Sequence, residues 1–174
     1  NVGEIAKAKG VKPLVALLSA DDPETQAHVA VVLADMTRVS QEHAVEVASS
    51  GGIPLLVSLL TTGHTVDAKA EAAGALGNIS VGHALQVGEA GAIGPLIQLL
   101  ESGNRAAEKQ ASLALAGIAA GGKKNQDAVD AAGGTKLLVG LLAFDRESEK
   151  IKSSKPGQSV KDWEVQMQAA QALG

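Results

Sequence analysis

The chain has 174 residues and a formal net charge of −4 at pH 7, a balance that argues against general affinity for nucleic-acid backbones. It contains no cysteine, which excludes disulfides, thiol catalysis and cysteine-ligated zinc and suits a cytoplasmic or nuclear location. Only 1% of the residues are aromatic, against 45% hydrophobic. A core must therefore use Leu, Ile, Val and Ala, which favours closely packed helices.

The apolar runs of the sequence are short. Runs such as residues 53–60 are far too short to span a bilayer, so we expect no membrane insertion. Residues 1–10 lack the apolar segment of a secretory signal. Because the chain begins with Asn1 rather than Met, we expect it to be part of a longer protein.

A Leu-[Val/Ile]-x-Leu-Leu pattern occurs four times along the chain. Its copies begin at Leu14, Leu56, Leu96 and Leu138, which are 42, 40 and 42 residues apart. Shortly before these copies stand Gly10, Gly52, Gly91 and Gly134, and three copies open with Pro13, Pro54 and Pro95. A glycine in the left-handed conformation closes a helix, and a proline in the next first turn gives up no needed hydrogen bond. Each copy therefore predicts a helix, a glycine break and a second helix.

Three helices are predicted in each repeat. The short first helices are expected at residues 3–9, 41–49, 83–90 and 124–132. The second helices carry the Leu pattern, and longer third helices are expected at residues 23–38, 66–80, 104–120 and 160–174. Asp22 is the predicted N-cap before Pro23. Strands are hard to place anywhere.

Two motifs carry a resemblance to a known family. The sequence GIPLLVSLL at residues 52–60 and the sequence AAGALGNIS at residues 72–80 resemble the armadillo repeat, and the resemblance extends over the whole chain. HEAT repeats have a similar period but normally two helices, so the short first helix favours armadillo. The resemblance implies an all-α fold, a right-handed α-solenoid of four three-helix repeats. The repeats would span residues 1–40, 41–81, 82–122 and 123–174 of a single domain that belongs to a longer solenoid.

In armadillo proteins the third helices line a concave groove that holds an extended peptide. Alignment on Leu33, Leu76, Leu115 and Leu173 implies which residues face this groove. They are Glu24, His28, Val31 and Asp35 in the first repeat, Asp67, Glu71, Gly74 and Asn78 in the second, Ala106, Gln110, Leu113 and Gly117 in the third, and Glu164, Gln168 and Gln171 in the fourth. This row has five carboxylates and no Lys or Arg, so a basic or polar extended peptide is the favoured ligand. A solvated helix face remains the alternative for each carboxylate.

The row differs from that of importin-α, the nuclear-import adaptor. There the third helices carry a Trp and, four residues on, an Asn in successive repeats. Val31, Gly74, Leu113 and Gln171 stand in the Trp place here, and Asn78 alone keeps the Asn. The missing aromatic residues disfavour binding of nuclear-import signals. Asn78 is expected to bind the ligand backbone, or else to bridge neighbouring helices.

Two parts of the sequence lie outside the regular repeat pattern, an inserted segment and the chain ends. Residues 145–159 lengthen the fourth repeat and predict a mobile loop, a tolerated insertion or a regulatory one with Ser153 and Ser154 as candidate phosphosites. The last residues do not form an obvious polar cap, which suggests self-association through the exposed solenoid ends.

The motifs of catalysis are absent from the sequence. It has no Gly-x-Ser-x-Gly elbow, no P-loop and no His-x-x-x-His spacing, and His43 and His83 read as repeat features. We therefore predict a scaffold that binds a partner protein or extended peptide, with no catalytic residue, metal or cofactor. The alternatives are a non-catalytic arm of a larger enzyme such as a ubiquitin ligase, an importin-α-like transport adaptor, or a purely structural segment.

Overall fold

The computed structural model of the protein describes residues 10–140. Its helices are α1 (Val11–Leu17), α2 (Pro23–Val39), α3 (Gln41–Ser49), α4 (Gly52–Thr62), α5 (Val66–Glu89), α6 (Ile93–Leu100), α7 (Arg105–Ala119) and α8 (Lys123–Ala131). Residues 134–140 are also helical, and no strand occurs within this part of the chain. The predicted helices at 3–9 and 160–174 and the inserted segment 145–159 lie outside the described residues.

Side-chain caps fix where the three third helices begin. Asp22 accepts a hydrogen bond from the backbone nitrogen of Thr25 at 2.8 Å and starts α2, which confirms the predicted N-cap. Thr65 caps α5, and Asn104 caps α7 through two backbone nitrogens. A polar residue whose side chain accepts a backbone hydrogen bond therefore opens the third helix in each of the first three repeats.

The glycine breaks differ from the prediction in three repeats. Positive φ angles after the first helices occur at Gly51, Gly91 and Gly133. The predicted Gly52 and Gly134 instead begin or enter the second helix, and Gly10 is right-handed. The left-handed residue stands two positions after the last helical residue, so the first glycine of each pair closes the helix.

The boundary between the second and third repeats is a kink without an intervening turn. The helices expected at residues 66–80 and 83–90 both occur, joined end to end in α5, and the non-helical backbone of His83 separates them (φ −133°, ψ 29°). Seven positions separate Leu76 from His83, whereas ten separate the aligned Leu115 from Asn125. The shorter connection leaves no room for the turn that separates α7 from α8.

Small residues let the third helices approach closely in a continuous apolar core. The aligned leucines Leu33, Leu76 and Leu115 are fully buried in it. A Cβ atom added to Gly77 would lie 3.2 Å from the Cα atom of Ala114, so α5 and α7 meet backbone to backbone. This packing sets α2, α5 and α7 in order along the stack.

Among the described helices, only one bent pair has the length and apolar composition that a membrane span needs. Taken singly, no helix among the described residues is both long and apolar enough to cross a membrane. The pair α3 and α4 meets the requirement by combined length and composition, with a bend of 87° between the two.

Candidate peptide-binding groove

The predicted groove residues of the first three repeats lie on α2, α5 and α7, and we call this row of residues the groove face. Glu24, His28 and Asp67 are exposed on it. The half-buried polar members are Asp35, Glu71, Asn78 and Gln110. Glu164, Gln168 and Gln171 lie outside the described residues. The structure thus divides the candidates into exposed side chains and side chains that also contact the fold.

Three carboxylates form a cluster where α2 meets α5, and we call Asp35, Asp67 and Glu71 the acidic cluster. Partial burial raises the pKa of Glu71 above its ordinary value, and the negative charges of Asp35 and Asp67 raise it further. Arg38 opposes this shift and lies 2.8 Å from Asp35 in an ion pair. Arg38 is paired with Asp35 and offsets only part of the repulsion at Glu71, so the cluster favours a cationic ligand.

Sequence reasoning missed the role of Arg38. The groove row itself has no Lys or Arg in the described repeats, as predicted, but Arg38 reaches it from the next turn of α2. The spacing of three residues from Asp35 is the signal that could have revealed this pair.

Asn78 contacts the preceding repeat rather than only facing a ligand. Its side-chain nitrogen Nδ2 donates to the backbone oxygen of Ala34 at 3.3 Å and to the hydroxyl oxygen of Thr37 at 3.1 Å. A carbonyl oxygen only accepts, so this contact fixes which end of the amide is the nitrogen. The side-chain oxygen Oδ1 has no hydrogen-bond partner within residues 10–140. Asn78 therefore bridges two repeats, the alternative that its sequence left open, and keeps one free acceptor.

The corresponding position in the third repeat has no room for a side chain. A Cβ atom added to Gly117 would lie 2.9 Å from the Cβ atom of Ser80 and 3.3 Å from the backbone oxygen of Gly77. Contacts this short require α5 and α7 to move apart. On the described third helices, Asn78 is thus the only amide side chain at this position of the repeat. Asp35 takes the same position in the first repeat.

Gln110 covers the place that a Trp would take in the second repeat. A Cβ atom added to Gly74 would lie 3.0 Å from the side-chain oxygen of Gln110. The glutamine of one repeat therefore lies over the glycine of its neighbour. Sequence alignment names both positions but not this contact, which depends on how closely α5 and α7 approach.

The described residues do not form a metal site. No group of three or more His, Asp or Glu side chains that could hold a metal ion occurs in residues 10–140. The groove face offers carboxylates and amides, which bind cations and peptide groups through charge and hydrogen bonds.

Comparison with known proteins agrees with this architecture. A family model described as the Armadillo/beta-catenin-like repeat matches residues 40–81. An engineered protein solved by the Northeast Structural Genomics Consortium is 34% identical with a TM-score of 0.80, over 99% of this chain and 64% of that one. No curated protein matches the sequence.

Two further structures are designed armadillo repeat proteins. One, described as designed for modular peptide recognition, is 26% identical with a TM-score of 0.77 over 99% of this chain and 66% of that one. Another, in complex with the peptide (KR)4, is 27% identical with a TM-score of 0.73 and the same coverage. The chain spans less than two thirds of the length of these structures. Its right-handed α-solenoid, its repeat match and these neighbours identify the chain as an armadillo repeat protein.

Proposed function

We propose that this protein is a non-catalytic scaffold that binds an extended basic peptide segment of a partner protein on the groove face. The observation that carries the proposal is the acidic cluster. Burial and the repulsion from Asp35 and Asp67 raise the pKa of its central, half-buried carboxylate, Glu71, and the charge of Arg38 offsets this only in part. A Lys or Arg side chain of a ligand would relieve this repulsion, whereas an acidic ligand would increase it.

The free oxygen of Asn78 supports an extended ligand. Its Oδ1 atom has no partner among the described residues and can accept from a peptide N–H group. The amide donors of Asn78 are already used within the fold, so the peptide would gain one hydrogen bond here rather than two. This arrangement suits a ligand held by few backbone bonds and selected by charge.

The designed relatives support the binding of a basic peptide in general terms. One of them is in complex with the peptide (KR)4, a sequence of alternating basic residues. Ion pairs on an exposed face contribute only about 0.2–1 kcal/mol each, so charge sets partner choice more than affinity. The partner would meet the scaffold in the cytoplasm or nucleus, as the cysteine-free composition suggests.

A peptide-library pulldown tests the proposal. The wild type is expected to enrich peptides with Lys or Arg, and an Asn78→Ala/Glu71→Lys variant to lose that enrichment. Glu101→Lys is the matched control, because Glu101 is exposed at the end of α6 and makes the same charge change away from the groove face. The control should enrich the same peptides as the wild type. Identical peptide sets for the wild type and the groove variant would show that the groove face is the wrong surface.

A further inference from the structure

In the second, third and fourth repeats, one position of the first helix holds a side chain that can form hydrogen bonds. It lies thirteen residues before the first leucine of the Leu pattern and is held by His43, His83 and Asn125. In the second repeat the ring nitrogen Nδ1 of His43 lies 3.1 Å from the backbone oxygen of Met36. In the fourth, the side-chain nitrogen of Asn125 donates to the backbone oxygen of Ile118 at 2.7 Å. Both contacts tie the first helix to the end of the preceding third helix.

The third repeat lacks this tie. His83 stands at the kink of α5, where the connection is three residues shorter than in the flanking repeats. Its Nδ1 atom is buried and has no hydrogen-bond partner in the described part of the chain. A buried polar atom without a partner is rare and points to a group that is missing from the site.

A cavity of about 610 Å³ opens beside this histidine. Its lining includes Val81, His83 and Leu85 from the kinked part of α5, and Gly117 and Gly121 from the end of α7. Val81 is 76% exposed and Leu85 is 48% exposed. The lining contains no Asp, Glu, Lys or Arg. Its volume falls within the range of about 300–1,000 Å³ that is typical of ligand pockets.

The cavity is continuous with the groove face. Gly117 belongs to both, and Ser80, which also lines the cavity, follows Asn78 by two residues on α5. The close packing of Ser80 on Gly117 forms the border between them. A peptide that lies along the groove face and passes Asn78 therefore reaches the cavity next.

We infer that this cavity receives an apolar side chain of the same extended peptide, so that the ligand combines a basic residue at the acidic cluster with an apolar anchor at Val81 and Leu85. The inference rests on the proposed function. A lining without Asp or Glu cannot neutralise a Lys or Arg side chain, whereas the exposed side chains of Val81 and Leu85 are stabilised when an apolar group covers them. The peptide backbone beside the anchor, or a water molecule that it encloses, supplies the hydrogen bond that the Nδ1 atom of His83 lacks.

Peptide selection on the full chain tests this inference with three variants. Val81→Ser/Leu85→Ser removes the apolar surface without adding charge, and Glu71→Gln removes one carboxylate of the acidic cluster. Val45→Ser is the matched control, because Val45 is 47% exposed and lies two residues after His43, as Leu85 does after His83. All three variants change only exposed or half-buried side chains, and circular dichroism would verify that the fold is kept.

The expected result separates the two parts of the ligand. The wild type and Val45→Ser should enrich peptides with a basic and an apolar residue at a fixed spacing. The Val81→Ser/Leu85→Ser variant should keep the basic preference, lose the apolar one and bind the selected peptide roughly tenfold more weakly. Glu71→Gln should weaken the basic preference and keep the apolar one.

Other outcomes would overturn one proposal or the other. Basic peptides with no apolar preference, bound equally by the wild type and the double serine variant, would overturn the anchor and leave the proposed function intact. Apolar peptides whose binding depends on Val81 and Leu85 but not on Glu71 would overturn the basic ligand instead. Self-association of the wild type in sedimentation, lost in the double serine variant, would show that a second copy covers the cavity and would overturn the peptide as its occupant.

Discussion

The side-chain nitrogen of Asn78 lies 3.1 Å from the hydroxyl oxygen of Thr37, so one amide group joins the third helices of two successive repeats. The same nitrogen contacts the backbone oxygen of Ala34, and the Thr37 hydroxyl donates to that oxygen as well. Thr37 is buried, which places these hydrogen bonds away from competing water. Asn78 thus contributes to the stability of the stack whether or not a ligand is bound.

Replacing Asn78 should therefore destabilise the free protein. Asn78→Ala removes two inter-repeat hydrogen bonds, and we expect the free energy of unfolding to fall by about 1–2 kcal/mol in urea denaturation. Asn78→Asp should cost more at neutral pH, because a carboxylate cannot donate to Ala34 and would repel its carbonyl oxygen. Thr37→Ser keeps the hydroxyl group and is the control for the polar contact. An unchanged denaturation midpoint for Asn78→Ala would show that these hydrogen bonds add nothing.

Gly117 should not tolerate a side chain. A Cβ atom there would lie 2.9 Å from the Cβ atom of Ser80, so we expect Gly117→Ala to lower the free energy of unfolding by about 1–3 kcal/mol. This loss would occur although alanine has a higher helix propensity than glycine. Gly94→Ala is the matched control. Gly94 also lies in a helix, α6, but a Cβ atom there meets nothing within 4 Å. This substitution should cost far less than Gly117→Ala in urea unfolding, because only the ring of the following Pro95 crowds the new Cβ atom.

A double variant checks the cause of that loss. Ser80→Gly removes the Cβ atom that Gly117→Ala would meet, so the alanine should cost much less in the Ser80→Gly background. Equal costs in the two backgrounds would place the strain elsewhere, at the backbone oxygen of Gly77.

Much of the helix pattern could be predicted from local signals in the sequence. The third helix of the first repeat was expected at residues 23–38 and is Pro23–Val39, because Asp22 and Pro23 mark its start. The first helix of the second repeat was expected at residues 41–49 and has those bounds. In both cases the signals lie within the element or next to it.

The relations between repeats could not be predicted in the same way. The kink at His83 depends on a connection three residues shorter than those of the neighbouring repeats, which joins two helices without a turn. The position of Gln110 over Gly74 depends on how closely two helices approach, and a one-dimensional pattern carries no such distance. The assignment of the groove residues to a ligand remains a prediction.

The stability of the protein should depend on pH through Glu71. Partial burial and the neighbouring carboxylates raise the pKa of Glu71 in the folded protein, so the folded state holds its proton to a higher pH than the unfolded state does. The protonated group therefore favours folding below the unfolded-state pKa of about 4.3, and this contribution is lost as the pH rises through the folded-state pKa. We expect Glu71→Gln to be slightly more stable than the wild type at pH 7, by an amount that solvent screening keeps small.

Denaturation at several pH values measures this effect. The stability difference between Glu71→Gln and the wild type should shrink as the pH falls and disappear below the unfolded-state pKa. Glu101→Gln, on an exposed side chain outside the acidic cluster, is the matched control for the loss of one carboxylate. A Glu71→Gln difference that stays constant with pH would mean that the carboxylates do not repel one another in the folded state.

The three equivalent side chains of the first helices should differ in their contributions to stability. Asn125 is buried and donates to the backbone oxygens of Ala84 and Ile118, so Asn125→Ala should lower the free energy of unfolding by about 1–3 kcal/mol. His43→Ala removes one hydrogen bond, to Met36, and should cost about 0.5–1.5 kcal/mol. His83→Ala should cost least, because its buried Nδ1 atom has no partner to lose among the described residues. Urea denaturation of the three variants gives the order directly, and a loss for His83→Ala as large as for Asn125→Ala would mean that an ordered water molecule already satisfies His83 in solution.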